Sequence, residues 1–243
     1  LELSQGTLSL VVGSRPEVHA QAFAAHACWL LGDDDQAALR CADAIARARA
    51  ADHPYSVAIA LAYAAITHQI SGDRVAAVEV VAELGDLCRR HGFAYYSEWA
   101  LIISGWLLGG GQGAAQIRDG IGRLSSQGAY TRMPYWSSLL AEVLIADGHL
   151  DAARAVLDAA RIGAEQRDDR WWLPEVLRLR AGLEAGPAAL SLLELAADMA
   201  AGQESRVLEA RCRRDLADRT VRAASHLPPA GGSGANGWRT RGA

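Results

Sequence analysis

Residues 28–73, CWLLGDDDQAALRCADAIARARAADHPYSVAIALAYAAITHQISGD, decide the fold class. Gly32 ends an apolar helical run that starts at Pro16. Asp33, Asp34 and Asp35 open the next helix, where negative charge suits the positive N-terminal end. Ala37, Ala38, Cys41, Ala44, Ile45 and Ala48 follow at helical spacing along one face. Pro54 starts another apolar helix, which stops at Gly72. The stretch therefore reads as helix, turn, helix, turn, helix.

The same phrase recurs along the chain. Residues 73–92 form the amphipathic partner of the helix ending at Gly72. Residues 93–128, 133–166 and 171–202 read as three further pairs, and residues 204–224 as a lone last helix. Alternating β-branched runs are scarce; only TLSLVV, residues 7–12, offers a short strand. Gly32, Gly72 and Gly148 mark a step of about 38–40 residues, somewhat longer than the roughly 34 of a tetratricopeptide repeat. Small residues follow these glycines at five- and twelve-residue offsets, Ala37 with Ala44 and Ala153 with Ala160. Ala77 keeps the first offset after Gly72, and Leu84 replaces the second alanine. These offsets match the tetratricopeptide pattern. The third pair keeps no clean register, and its turn, GGGQG, is ambiguous.

No helix pair buries its apolar face alone, so stacking must complete the core. The expected fold is all-α, a right-handed superhelical solenoid of antiparallel, tetratricopeptide-like helix pairs. Residues 1–16 read as a connector from an upstream repeat. Residues 17–223 read as the repeat domain, with about five helix pairs plus one helix. Residues 224–243 are rich in Pro, Gly and Ser and read as a disordered tail. The tail stands where a partner for the last helix belongs, so the array is expected to end uncapped.

Composition narrows the function. All 24 basic residues are Arg, and a chain without Lys holds no P-loop lysine, Schiff-base lysine or Ser–Lys dyad. A net charge of −4 over 243 residues suggests neither a nucleic-acid binder nor a polyacidic tail. No apolar run approaches the roughly 20 residues needed to span a membrane, and a cytoplasmic location is expected. Cys28, Cys41, Cys88 and Cys212 form no Cys-x-x-Cys pair and sit beside Ala and Leu, as small buried hydrophobes do.

The phrasing of residues 28–73, of HGFAYYSEWALIISGW (91–106), MPYWSSLLAEVLIADGHLDAA (133–153) and RDDRWWLPEVLRLRAG (167–182), resembles the helical-repeat region of large bacterial signalling ATPases. It is similar to the repeats of MalT-type regulators, over roughly residues 8–222. In those proteins the repeats follow a nucleotide-binding switch ATPase module. Many carry a class III adenylate or guanylate cyclase domain, others a LuxR-type DNA-binding domain. LSLVVGSRPEV resembles the connector between repeats, which implies that the array begins upstream of Leu1. The resemblance implies a non-catalytic sensor or scaffold that binds a protein, peptide or small effector and regulates an attached ATPase or cyclase. The alternative is the effector-sensing domain of an ATP-dependent transcription regulator. Trp171 and Trp172 match the family's Trp-Trp at the start of a repeat. Neighbouring helical residues point about 100° apart, so the two are expected to serve different surfaces.

Candidate chemistry is sparse. GGGQGAAQIR, residues 109–118, lacks the strand and the Gly-Lys-Ser/Thr ending of a phosphate loop and reads as a turn between helices. Cys88 and His91 are spaced to share a helix face, but two ligands close no zinc site. Glu98 near His91 and Glu142 near His149 read as solvated helix residues rather than acid–base pairs. The mixed charges of the last helix, Arg211 and Asp215 among them, read as a solvated face rather than a nucleic-acid surface. No catalytic residue, metal or cofactor is expected. A ligand is expected on an inner groove made by the first helix of each pair. Its candidate residues are His26 and Trp29 (with His19 on the same face), Gln69, Trp99 and Trp106, and Tyr135 and Glu142. Rings with a few polar neighbours suit recognition of a peptide or small molecule.

Overall fold

The computed structural model describes residues 13–225, and every regular element among them is an α-helix. The helices are α1 (Pro16–Leu30), α2 (Asp34–Ala50), α3 (Pro54–Ser71), α4 (Arg74–His91), α5 (Ala94–Leu108), α6 (Gly110–Ser126), α7 (Met133–Ala146), α8 (Leu150–Arg167), α9 (Leu173–Gly182), α10 (Gly186–Gly202) and α11 (Arg206–Ser225). The strand expected at residues 7–12, and the tail from residue 226 onward, lie outside the described residues. Ala224 and Ser225 still belong to α11.

Local sequence sets the helix ends. Asp33 and Asp73 cap α2 and α4, each accepting a hydrogen bond from the backbone N–H three residues on. Pro16, Pro54, Pro134, Pro174 and Pro187 stand in first turns, where a missing N–H costs nothing. Gly72 ends α3 with φ +80°, a conformation that residues with a Cβ avoid.

Packing divides the helices into two kinds. Each odd-numbered helix packs on the next odd-numbered one, and among the described residues no two even-numbered helices pack together. The odd helices therefore form the inside, and each even helix leans on the pair it joins. Burial follows this division. In α3 the run from Ala58 to Thr67 is wholly buried, as an apolar helix surrounded by neighbours must be. α2 buries only the stripe of Ala37, Cys41, Ala44 and Ala48.

The even helices carry a common device. Ala37/Ala44, Ala77/Leu84, Gly113/Gly120, Ala153/Ala160 and Ala189/Ala196 are all buried pairs seven residues apart. The third pair of helices thus keeps the register, with glycines in the alanine places. It needs them. A Cβ on Gly105 would lie 2.8 Å from the Gly113 carbonyl oxygen, and one on Gly120 would lie 2.5 Å from the Ile102 side chain. A Cβ on Gly113 would overlap the Gly105 carbonyl.

α11 departs from the uncapped end expected of it. It packs on α9 and α10 and also returns to α1, so the inner contacts form a closed circuit. Nor are its arginines merely solvated. Arg211 donates to the Ile70 carbonyl of α3 at 2.7 Å, with its guanidinium 5.0 Å from the Trp29 ring centre. Asp215 pairs with Arg178 at 2.7 Å, and Arg219 donates to the Glu184 carbonyl at 3.0 Å.

Two glycine substitutions separate close packing from helix propensity. Gly113→Ala is expected to destabilise the chain by about 1–3 kcal/mol, because two backbones must part. Gly122→Ala, exposed and with open space around it, is expected to stabilise by up to about 1 kcal/mol. Urea unfolding followed by circular dichroism measures both; equal effects would remove the close-approach explanation.

Candidate ligand-binding cavity

A cavity of about 560 Å³ opens among α1, the middle of α3, the start of α5 and the turns before α7 and α9. α1 supplies His19, Phe23, His26, Ala27 and Leu30, and α3 supplies Tyr63. Tyr95, Tyr96 and Trp99 come from α5. The turn before α7 gives Thr131 and Arg132, and the turn before α9 gives Asp169 and Trp171. Each of the five helix pairs contributes to the wall.

Arg132 is its central group. The residue is 8% exposed and caps α7 in the left-handed conformation, φ +67°. Its backbone N–H donates to Asp169 Oδ2 at 2.8 Å, which ties the two turns together. Its guanidinium lies 5.0 Å from the ring centre of Tyr63, 5.2 Å from Trp171, 5.6 Å from Trp99 and 5.7 Å from Phe23. Among the described residues no carboxylate comes within ion-pair distance of it. Ring faces attract a desolvated cation by up to about 2 kcal/mol or more, but they do not neutralise it.

The other titratable groups respond to burial and to this charge. Burial, aided by Arg132, lowers the pKa of His26 to about 3. The neutral ring donates its Nε2 hydrogen to the Tyr63 carbonyl at 3.3 Å. Burial and then Arg132 also lower His19. Burial raises Asp169, against the Arg132 backbone hydrogen bond and charge. Burial raises the phenols of Tyr63, Tyr95 and Tyr96. The cavity therefore combines the Arg132 guanidinium, the Asp169 carboxyl held on the same residue's backbone N–H, and rings shifted toward their uncharged forms.

The tandem tryptophans divide their work, as their adjacency requires. Trp172 is buried and donates its indole N–H to Ser138 Oγ at 2.9 Å. Trp171 faces the cavity, packed beside His26 and Tyr135. Its indole N–H is buried and meets no acceptor among the described residues.

Of the residues expected on the groove, His19, His26 and Trp99 line this cavity. The other five lie elsewhere in the interior. Trp29 packs on Trp172, with ring centres 6.3 Å apart, and under Arg211. Fully buried Tyr135 donates its hydroxyl to Gln69 Oε1 at 2.7 Å. Trp106 donates to Glu142 Oε2 at 2.7 Å and carries Arg74 over its ring. Glu142 is no solvated residue, since burial raises its pKa against that hydrogen bond. Glu98 is likewise buried, with Arg123 3.9 Å away. Sequence reasoning missed Arg132, Asp169, Tyr63 and Tyr95. Trp171 was noticed only as half of a structural pair.

No family model matches the chain. Over 174 residues, 68% of this chain, it is 28% identical to an uncharacterized protein of Rhizobium meliloti (strain 1021). The match takes in 17% of that protein's length.

His26 imposes a pH dependence. Above pH 6.5 it is neutral folded or unfolded, and its contribution to stability is full. Below 6.5 the unfolded chain takes up the proton and the folded chain does not, so stability falls by at most about 1.4 kcal/mol per pH unit until about pH 3. Between pH 7 and 5 the wild type is expected to lose up to about 2 kcal/mol more than His26→Gln in urea titrations; equal losses would refute a neutral buried His26. The two tryptophans are expected to differ just as clearly. Trp172→Ala should cost about 3–5 kcal/mol and Trp171→Ala about 1 kcal/mol in the same assay; similar costs would mean that both are core.

Proposed function

We propose that this chain is a non-catalytic sensor module, a right-handed tetratricopeptide-like solenoid that binds a small effector and passes the bound state to an ATPase or cyclase module attached in a longer protein. One observation carries the reading: a cavity of ligand size with aromatic walls and a buried, incompletely compensated arginine. Such a site is costly to maintain in an empty fold, and its features are those of small-molecule recognition. The buried pairs seven residues apart in the even helices support the repeat assignment.

Binding without turnover fits the groups in the wall. His26, the most enclosed imidazole there, has its Nε2 engaged on a carbonyl and a pKa far below neutrality, which makes it a poor base. Transmission follows from the origin of the wall. A ligand touching α1, α3, α5 and the turns before α7 and α9 bridges all five pairs and stiffens them together.

A set of small organic acids, amines and neutral compounds tests the reading by thermal midpoint and ligand-observed NMR. At least one class is expected to raise the midpoint by several degrees and to lose its effect in Ala27→Trp, which fills the cavity from an exposed position. In a longer protein that carries the chain, the same compound is expected to change nucleotide turnover. No compound sensitive to Ala27→Trp would refute the site.

A further inference from the structure

We propose that the occupant of this cavity is a small aromatic carboxylate, its acid group paired with the Arg132 guanidinium and its ring held among Trp171, Tyr63 and Trp99. The inference rests on the reading of the cavity as an effector site and names the ligand's chemistry.

The charge comes first. Burying a cation without a paired anion is among the most expensive arrangements in a protein, and rings repay it only in part. Arg132 is more than nine-tenths buried, and Asp169, the nearest acid in the wall, accepts from its backbone N–H rather than pairing with its guanidinium. The Tyr63 hydroxyl accepts a hydrogen bond from the guanidinium but brings no charge, and the partner still missing is an anion able to take N–H donors of Arg132, which a carboxylate supplies. The imidazoles of His26 and His19 are shifted toward the neutral form, so they add no second cation. A single arginine beside an acid suits one negative charge and disfavours phosphates and dicarboxylates.

Trp171 stands beside the arginine in the cavity wall, and the Trp99 and Trp136 indole N–H groups are unmet like its own. Its buried indole N–H has no acceptor among the described residues, while the indole of Trp172 next to it has Ser138. An unmet buried donor costs roughly 1–3 kcal/mol. The ring itself lines the cavity with the Arg132 guanidinium 5.2 Å from its centre, so a flat ligand body seated beside Arg132 packs against Trp171. Shape follows from the walls. Six of the lining side chains are Phe, Tyr or Trp, so the rest of the ligand meets ring faces and edges, where a flat aromatic body gains most.

Calorimetric titration of the chain with 2-naphthoate, its neutral isostere 2-naphthamide and cyclohexanecarboxylate decides the matter. 2-Naphthoate is expected to bind at least tenfold tighter than either of the others and to quench tryptophan fluorescence. Arg132→Gln should bring 2-naphthoate and 2-naphthamide to equal affinity, Arg132→Lys should keep part of the preference, and Ala27→Trp should abolish binding of all three. Circular dichroism checks that each variant folds; if Arg132→Gln does not, the wild-type preference and its loss in Ala27→Trp still decide. Equal or tighter binding of 2-naphthamide would overturn the carboxylate and leave the effector site standing. A preference for 2-naphthoate that survives in folded Arg132→Gln would overturn the anchor. No binding by these probes, or by amines and neutral compounds, that is sensitive to Ala27→Trp would remove the site itself.

Discussion

Everything in this fold depends on how closely each even helix can approach the inside. The contact is made by small side chains seven residues apart, two turns of one helix. Ala37 and Ala44 set it in the first pair, and Ala153 and Ala160 in the fourth. In the third the backbones come nearer still, and only hydrogen fits at Gly105, Gly113 and Gly120. Close approach brings successive odd helices into mutual contact, which leaves the central ones little solvent face. That is why α3 is apolar all round, while α2 needs only one stripe.

An interior built from whole helices also encloses polar groups, and these must find partners there. They do so across pairs distant in sequence. Tyr135 reaches Gln69, Trp172 reaches Ser138 and Trp106 reaches Glu142. Glu175 takes both arms of Arg178, which also pairs with Asp215 of α11. Such bonds add modest net stability, but leaving any one unmade is expensive. They therefore favour one register of the stack over its neighbours.

The helices were legible in the sequence, and the site mostly was not. Turn glycines, acidic first turns and helical spacing locate the pairs because each is a local signal. The third pair resisted because glycine replaces alanine at residues 113 and 120, and glycine in a helix looks like a turn. The aromatic character of the inner face was also visible, and three of the expected residues, His19, His26 and Trp99, do line the cavity. Arg132 was invisible for a physical reason. It lies in a turn between helices, and nothing local distinguishes an arginine that folds inward beneath four rings from one in water. Closure by α11 was equally hidden, since the contact of Arg211 with Ile70 spans 141 residues.

Closure bears directly on the cavity. Trp171 lines it, and Trp172, one residue on, packs on Trp29, over which Arg211 of α11 lies. His26 stands one helical turn from Trp29 on α1 and faces Trp171. The seam between the last and first helices is thus built from the immediate neighbours of cavity residues. A ligand that orders Trp171 against Arg132 also restrains Trp172 and, through it, the Trp29–Arg211 contact. The cavity and the seam therefore share one run of packed aromatic rings.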